Sequence, residues 1–243
     1  MNFLRPFLAW MAVGLVGLIA LGVTIDISGI RAMPEAPEVP DAGLRFLLMF
    51  QPAILMGLGV ALGVGLSGRV GLHSWLTARM RGEAAVFPAV WLPICLGLGG
   101  GVLIALADWL FFWLRGADGG LTIPTVPGAL AALTYGGIVE ELMLRYGLLT
   151  ALFWAAWKIG RQTLRPVVAW VLIAVVAVLF GLGHLPAMMT LGPLDAALIA
   201  RTILLNAALG LVYGWLYWRR GLEARMVAHM ATHPGMWLVS AVL

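Results

Sequence analysis

Two adjacent acids with a base four residues later, Glu140-Glu141-Leu-Met-Leu-Arg145, stand inside a long apolar stretch. An ionisable side chain at bilayer depth costs about 2.5–3.5 kcal/mol even on insertion scales, so each one needs a partner or a task. Neighbours on a helix point about 100° apart, and the two glutamates cannot serve one partner equally. Arg145 follows Glu141 by four residues, in the favourable Glu-before-Arg order. Spacing therefore pairs Glu141 with Arg145 and leaves Glu140 without a counter-ion on its own helix. Such a carboxylate in a wet cavity suits general-base work.

Three of the four histidines fall within or at the ends of apolar stretches. Phe180-Gly-Leu-Gly-His184 puts the ring and the imidazole on one helix face, and its two glycines let another backbone come close. His229-Met-Ala-Thr-His233 again puts two imidazoles one turn apart. Pro234 lacks an N–H and leaves the Met230 carbonyl free, which predicts a kink or a bound water. His73 lies in a basic loop and is expected to be solvated. Asn206 falls at matching depth, as an extra hydrogen-bond donor or an interhelical tie. Asp108 and Arg201 fall at similar depth on two further spans and are expected to form a structural ion pair. The plainer reading of each is packing: an intramembrane histidine often makes only an interhelical hydrogen bond.

EELMLR (140–145), FGLGH (180–184) and HMATH (229–233) resemble, in order and spacing, the EExxxR, FxxxH and HxxxN/D motifs of CPBP-type membrane proteins. That family contains the CAAX prenyl endopeptidases and the bacterial Abi or bacteriocin-processing homologues. The resemblance covers roughly residues 126–243. It implies that Glu140 activates a water held with His184, and that His229 and residue 233 donate to the oxyanion. Glu141 and Arg145, with Phe180 and Asn206 nearby, would support them. It implies no metal and no acyl-enzyme, a peptide or protein substrate that is prenylated or otherwise membrane-associated, and a bacterial or archaeal cell membrane. One position departs: His233 stands where the pattern has Asn or Asp. An imidazole N–H can replace an amide donor, where one donor is worth about 2.7–4 kcal/mol.

The elements that must position these residues follow from composition. Of 243 residues, 62% are apolar and 11% charged, against about 25% charged in soluble domains. Mean hydropathy is +1.00. These values exclude a cytosolic globular enzyme, a disordered chain and a nucleic-acid module. A spanning helix takes about 20 apolar residues, which predicts an all-α, polytopic bundle of seven or eight spans in one membrane domain. We place the spans at 6–25, 44–66, 88–114, 128–157, 165–185, 194–218 and 224–243. Residues 1–125 form a three-span region and 126–243 the catalytic core. The first span is too long for a signal-peptide core and lacks an A-x-A closure.

Residues 26–43, with Pro34, Pro37 and Pro40 among acids, read as an extended acidic connector. Residues 67–87, with Leu72, Trp75, Leu76 and Met80 at helical spacing, read as a short interfacial helix or a polar loop. Ten Lys and Arg fall in loops on the side of the N-terminus, Arg225 among them, against three on the other. That bias places the N-terminus inside and the C-terminus outside. The pairs Gly59/Gly63, Gly97/Gly101 and Gly210/Gly214 permit close helix contacts. The lone cysteine, Cys95, allows no internal disulfide.

Function follows as an intramembrane endopeptidase using glutamate-activated water. The alternatives are a non-catalytic immunity or scaffold protein of the same fold that binds a peptide or partner, and a zinc-dependent peptidase using the three histidines and Glu140. HMATH lacks the Glu of H-E-x-x-H, so that zinc motif is absent. A small transporter is weaker still, without an inverted repeat. His184 counts to the outer end of its span, about 13 Å from the midpoint at 1.5 Å per residue, while Glu140 and His233 count to the middle. The site converges only if that helix is offset.

Overall fold

The computed structural model describes residues 3–32, 35, 37–117, 123–189 and 192–243. They are helical throughout, with no strand among the described residues. In chain order the helices are α1 (Leu4–Thr24), α2 (Ser28–Arg31), α3 (Asp41–Leu66), α4 (Trp75–Met80) and α5 (Trp91–Leu114). There follow α6 (126–159), α7 (Pro166–Gly183), α8 (Leu185–Met189), α9 (Ala196–Arg220) and α10 (Leu222–Ser240).

Five helical stretches are long and apolar enough to cross a membrane: α1, α3 with the turn after it, α5, α7 with α8, and α9. The two other long helices, α6 and α10, do not meet that criterion, and they carry the acids, arginines and two of the imidazoles. Their polarity is the cost of carrying the site, and it is hidden by burial: Glu141, Arg145 and Arg225 are wholly inaccessible. The crossing helices instead expose apolar side chains, such as Val23 at 68%, Leu103 at 69% and Val167 at 73%. Water would not tolerate that girdle; lipid does. The chain is an integral membrane protein.

α6 is the axis of the bundle. Val126–Ala131 and Thr150–Ile159 are α-helical, while Ala132–Glu140 and Leu142–Leu149 are π-helical, with Glu141 at the junction. π segments are rare and gather at functional sites. α1 and α3 pack on one side of α6, α7 and α10 on the other, and α5 lies along α10. Trp10, Met56, Val60, Leu142, Tyr146 and Ile173 share one core, so the N-terminal three-span region and the C-terminal region are packed together.

The three glycine pairs lie at the closest seams. A Cβ on Gly59 or Gly63 would strike Leu142 and Tyr146 of α6. One on Gly97 or Gly101 would strike the Ala228 and Thr232 carbonyls of α10, and one on Gly210 or Gly214 would strike Ala177 and Ile173 of α7. These seams fix α6 against α3, α10 against α5 and α7 against α9. α9 turns into α10 through Gly221, whose φ of 92° suits glycine, and the Leu222 N–H bonds the His73 carbonyl across the turn. At the other end Asp195 caps α9 through Leu198 N, 2.8 Å, and meets Arg115 at 2.5 Å. Those two contacts hold its carboxyl below the usual aspartate range. The cap's contribution is therefore present above that range and lost as pH falls through it.

Residues 26–41 are not simply extended. Arg31 closes α2 and turns back to the Pro37 carbonyl at 2.7 Å and to Asp41 at 2.8 Å, because a lone guanidinium satisfies several carbonyls at once. Pro34 lies outside the described residues. In 67–87, α4 is capped by Ser74 and docked by Trp10 Nε1 donating to Thr77 Oγ1, 3.0 Å.

Asp108 and Arg201 form an ion pair between α5 and α9. Asp108 is 1% exposed, and removing one partner of a buried pair costs about 3–5 kcal/mol. Either Asp108→Arg or Arg201→Asp alone is expected to lower the melting temperature in detergent, and the double exchange to recover most of the loss. A double variant as unstable as the singles would show that the two do not act as a pair.

Candidate active site

Four helices meet at the junction of the two π segments. Glu141 Oε1 accepts from Arg145 Nη1 at 3.2 Å, one turn along, as its spacing predicts. It also accepts from His229 Nδ1 at 2.9 Å and is paired with Arg225. Sequence reasoning missed Arg225 by counting it as a loop charge. It begins the face Arg225, His229, His233, each one turn apart, and that register was the available signal. The Arg145 guanidinium lies 4.6 Å from the Phe180 ring centre, and that of Arg225 lies 3.7 Å from Tyr213. Ring faces thus meet donors that find no oxygen, since Arg145 Nε and Nη2 and Arg225 Nε and Nη1 are buried without hydrogen-bond partners among the described residues. Two guanidiniums against one carboxylate leave an excess positive charge, and Glu140 is the nearby acid that faces it.

Glu140 is held differently. It has no hydrogen bond among the described residues and lines a cavity of about 400 Å³ with His184, Phe180 and Tyr135. Leu55 of α3 and Leu179 of α7 flank this cavity, 45% and 43% exposed to the lipid side. The depth problem dissolves when both helices are counted from their shared hairpin. Glu140 stands nineteen positions before Ile159, and His184 eighteen after Pro166. The two residues therefore lie at one level along the bundle, where they line the same cavity.

A second cavity, of about 270 Å³, is lined by His184, His229, His233, Asn206, Arg201 and Tyr213. Phe180 and His184 line both cavities, so the two spaces meet at these side chains. Phe180 meets His184 edge-on at 4.6 Å and His229 at 5.9 Å. His229 stacks on His233 at 5.3 Å, and His233 on Trp237 at 6.0 Å.

Hydrogen bonds fix two of the tautomers. His184 Nδ1 donates to the Phe180 carbonyl, 2.8 Å, and His229 Nδ1 donates to Glu141. In the neutral form both therefore present Nε2 as an acceptor. His229 can donate through Nε2 only as the imidazolium, with Glu141 as its counter-ion. His233 Nε2 is buried and unpartnered and is the imidazole nitrogen still able to donate when neutral. A Cβ on Gly136 would sit 3.2 Å from His233 Nε2 and 3.6 Å from His229 Nε2, so this glycine keeps a slot open before both. Asn206 makes no interhelical hydrogen bond among the described residues: one N–H of its Nδ2 is donated to the Thr202 carbonyl of its own helix at 2.8 Å. Among the described residues no group of three or more His, Cys, Asp or Glu is placed to hold a metal ion.

Residues 122–233 match the Rce1-like family of type II CAAX prenyl endopeptidases. This is the CAAX-protease family that the three motifs resemble. The matched residues cover α6, α7 and α9 and end at His233 within α10, and they contain every residue of both cavities that α6, α7 and α9 supply. No curated protein and no solved structure matches the chain.

Proposed function

We propose that this protein is an intramembrane endopeptidase in which Glu140 deprotonates a water. The observation that carries this reading is the division of labour between adjacent acids: Glu141 is locked to two arginines and His229, while Glu140 faces an open cavity beside His184. The water gives one proton to the Glu140 carboxylate and is oriented by the His184 Nε2 lone pair. Its oxygen bonds to the scissile carbonyl carbon, and the carbonyl becomes an oxyanion. His233 Nε2–H stabilises that charge. The C–N bond then breaks as Glu140 returns its proton to the leaving nitrogen. The scheme needs no cofactor.

The cavity beside Glu140 opens towards lipid, which suits a prenylated or membrane-associated peptide. The basic ends of α4, α6 and α9 support a cytoplasmic N-terminus, and the resemblance of the motifs supports a bacterial or archaeal membrane. Arg225, being buried, does not belong to that count. The test is incubation of the bilayer-reconstituted protein with a prenylated peptide ending in a CAAX sequence, with mass spectrometry of the products. Cleavage that survives chelators is expected. Binding without cleavage would favour the scaffold reading, and cleavage lost to chelators the zinc one.

Gly136→Ala puts a methyl into the slot before the two imidazoles. A misplacement of about 1 Å can cost 10²-fold in rate, and we expect a loss of that order with little change in melting temperature. Full activity in this variant would show that substrate does not use the slot.

A further inference from the structure

Asn206 lines the second cavity with the three imidazoles. Its Nδ2 donates to the Thr202 carbonyl one turn earlier, 2.8 Å away. A carbonyl oxygen can only accept, so the amide is fixed with its nitrogen against its own helix and Oδ1 turned away from it. Oδ1 has no hydrogen-bond partner among the described residues, and it is not one of the sealed polar atoms. The cavity thus presents a fixed acceptor on α9 and, on α10, the unpartnered His233 Nε2. An oxyanion has nothing to offer an acceptor. A peptide main chain offers both partners in alternation, an N–H and a C=O in each residue.

We infer that Asn206 Oδ1 accepts a main-chain N–H of the substrate, one residue removed from the scissile bond or further, and so fixes the register of the strand in the imidazole cavity. This rests on the endopeptidase reading. Arg201, paired with Asp108, lines the same cavity, but a guanidinium only donates and cannot accept a main-chain N–H.

The test uses the reconstituted protein, a quenched fluorescent peptide ending in a prenylated CAAX sequence, and analogues methylated at one amide nitrogen at a time, the scissile one excepted. Asn206→Leu keeps the size and removes the acceptor. Leaving an N–H unpaired in a desolvated site is expected to lower kcat/KM about 10- to 100-fold. In the wild-type protein one methylated position is expected to cost the same factor, and in Asn206→Leu that position is expected to cost nothing further. The ratio between two peptides within one variant does not depend on how much of it is folded, so a poorly folding variant still reports. The inference is overturned if methylation at every position costs both proteins equally. Failure of the wild-type protein to cleave any unmethylated peptide is a different result, which defeats the endopeptidase reading and this contact with it.

Discussion

Glu140→Gln is expected to lower kcat by about 10²–10⁴-fold, the usual worth of a positioned general base, while leaving the melting temperature unchanged. The change is nearly isosteric. Glu140 makes no hydrogen bond among the described residues and faces a cavity, so no direct contact is lost, and Glu141 still holds both arginines. KM is expected to change little, because the carboxylate meets the water rather than the peptide. Turnover and thermal unfolding measured on one preparation check this. A variant that melts well below the wild type would show that Glu140 holds the bundle together, and one that retains turnover would remove it from the reaction.

The neighbouring acid should behave in the opposite way. Glu141→Gln leaves the Arg145 and Arg225 guanidiniums buried together with no carboxylate between them. Breaking a buried ion pair costs about 3–5 kcal/mol, and here two arginines lose their shared partner. We expect a large fall in melting temperature, or no folded protein. Arg225→Met with Glu141→Gln leaves a single guanidinium over the Phe180 and Tyr213 rings and is expected to be milder than Glu141→Gln alone. Unfolding of the three variants in the same detergent tests this. If Glu141→Gln melts with the wild type, the arginines are neutralised by something other than Glu141. Two adjacent glutamates with opposite signatures, one kinetic and one structural, are what separates this arrangement from a general need for charge at this depth.

Most side-chain pairs one turn apart on a helix were legible in the sequence, whereas the π segments of α6 and the bond of Asn206 to its own helix were not. The apolar runs locate the long helices to within a few residues, because a spanning helix has a fixed length and few charges. The Glu141–Arg145 pair, the Phe180–His184 contact and the His229–His233 stack are neighbours one turn apart, and helical geometry alone brings them together. The glycine pairs likewise announced close seams, though not which helices would fill them.

Contacts between helices were not legible. The register with His229 and His233 puts Arg225 on their helix face, but the sequence does not say that it reaches Glu141, eighty-four positions away, or that the last turn of α7 lies level with Glu140. Nor does it say that Asn206 turns its oxygen outward, or that two cavities meet at Phe180. These depend on how far each helix slides along its neighbour, and glycine seams between α3 and α6, α5 and α10, and α7 and α9 set that offset by letting backbones touch. Side-chain type and period determined which groups could do chemistry in this membrane bundle. Close packing decided which carboxylate is clamped and which is left facing open space.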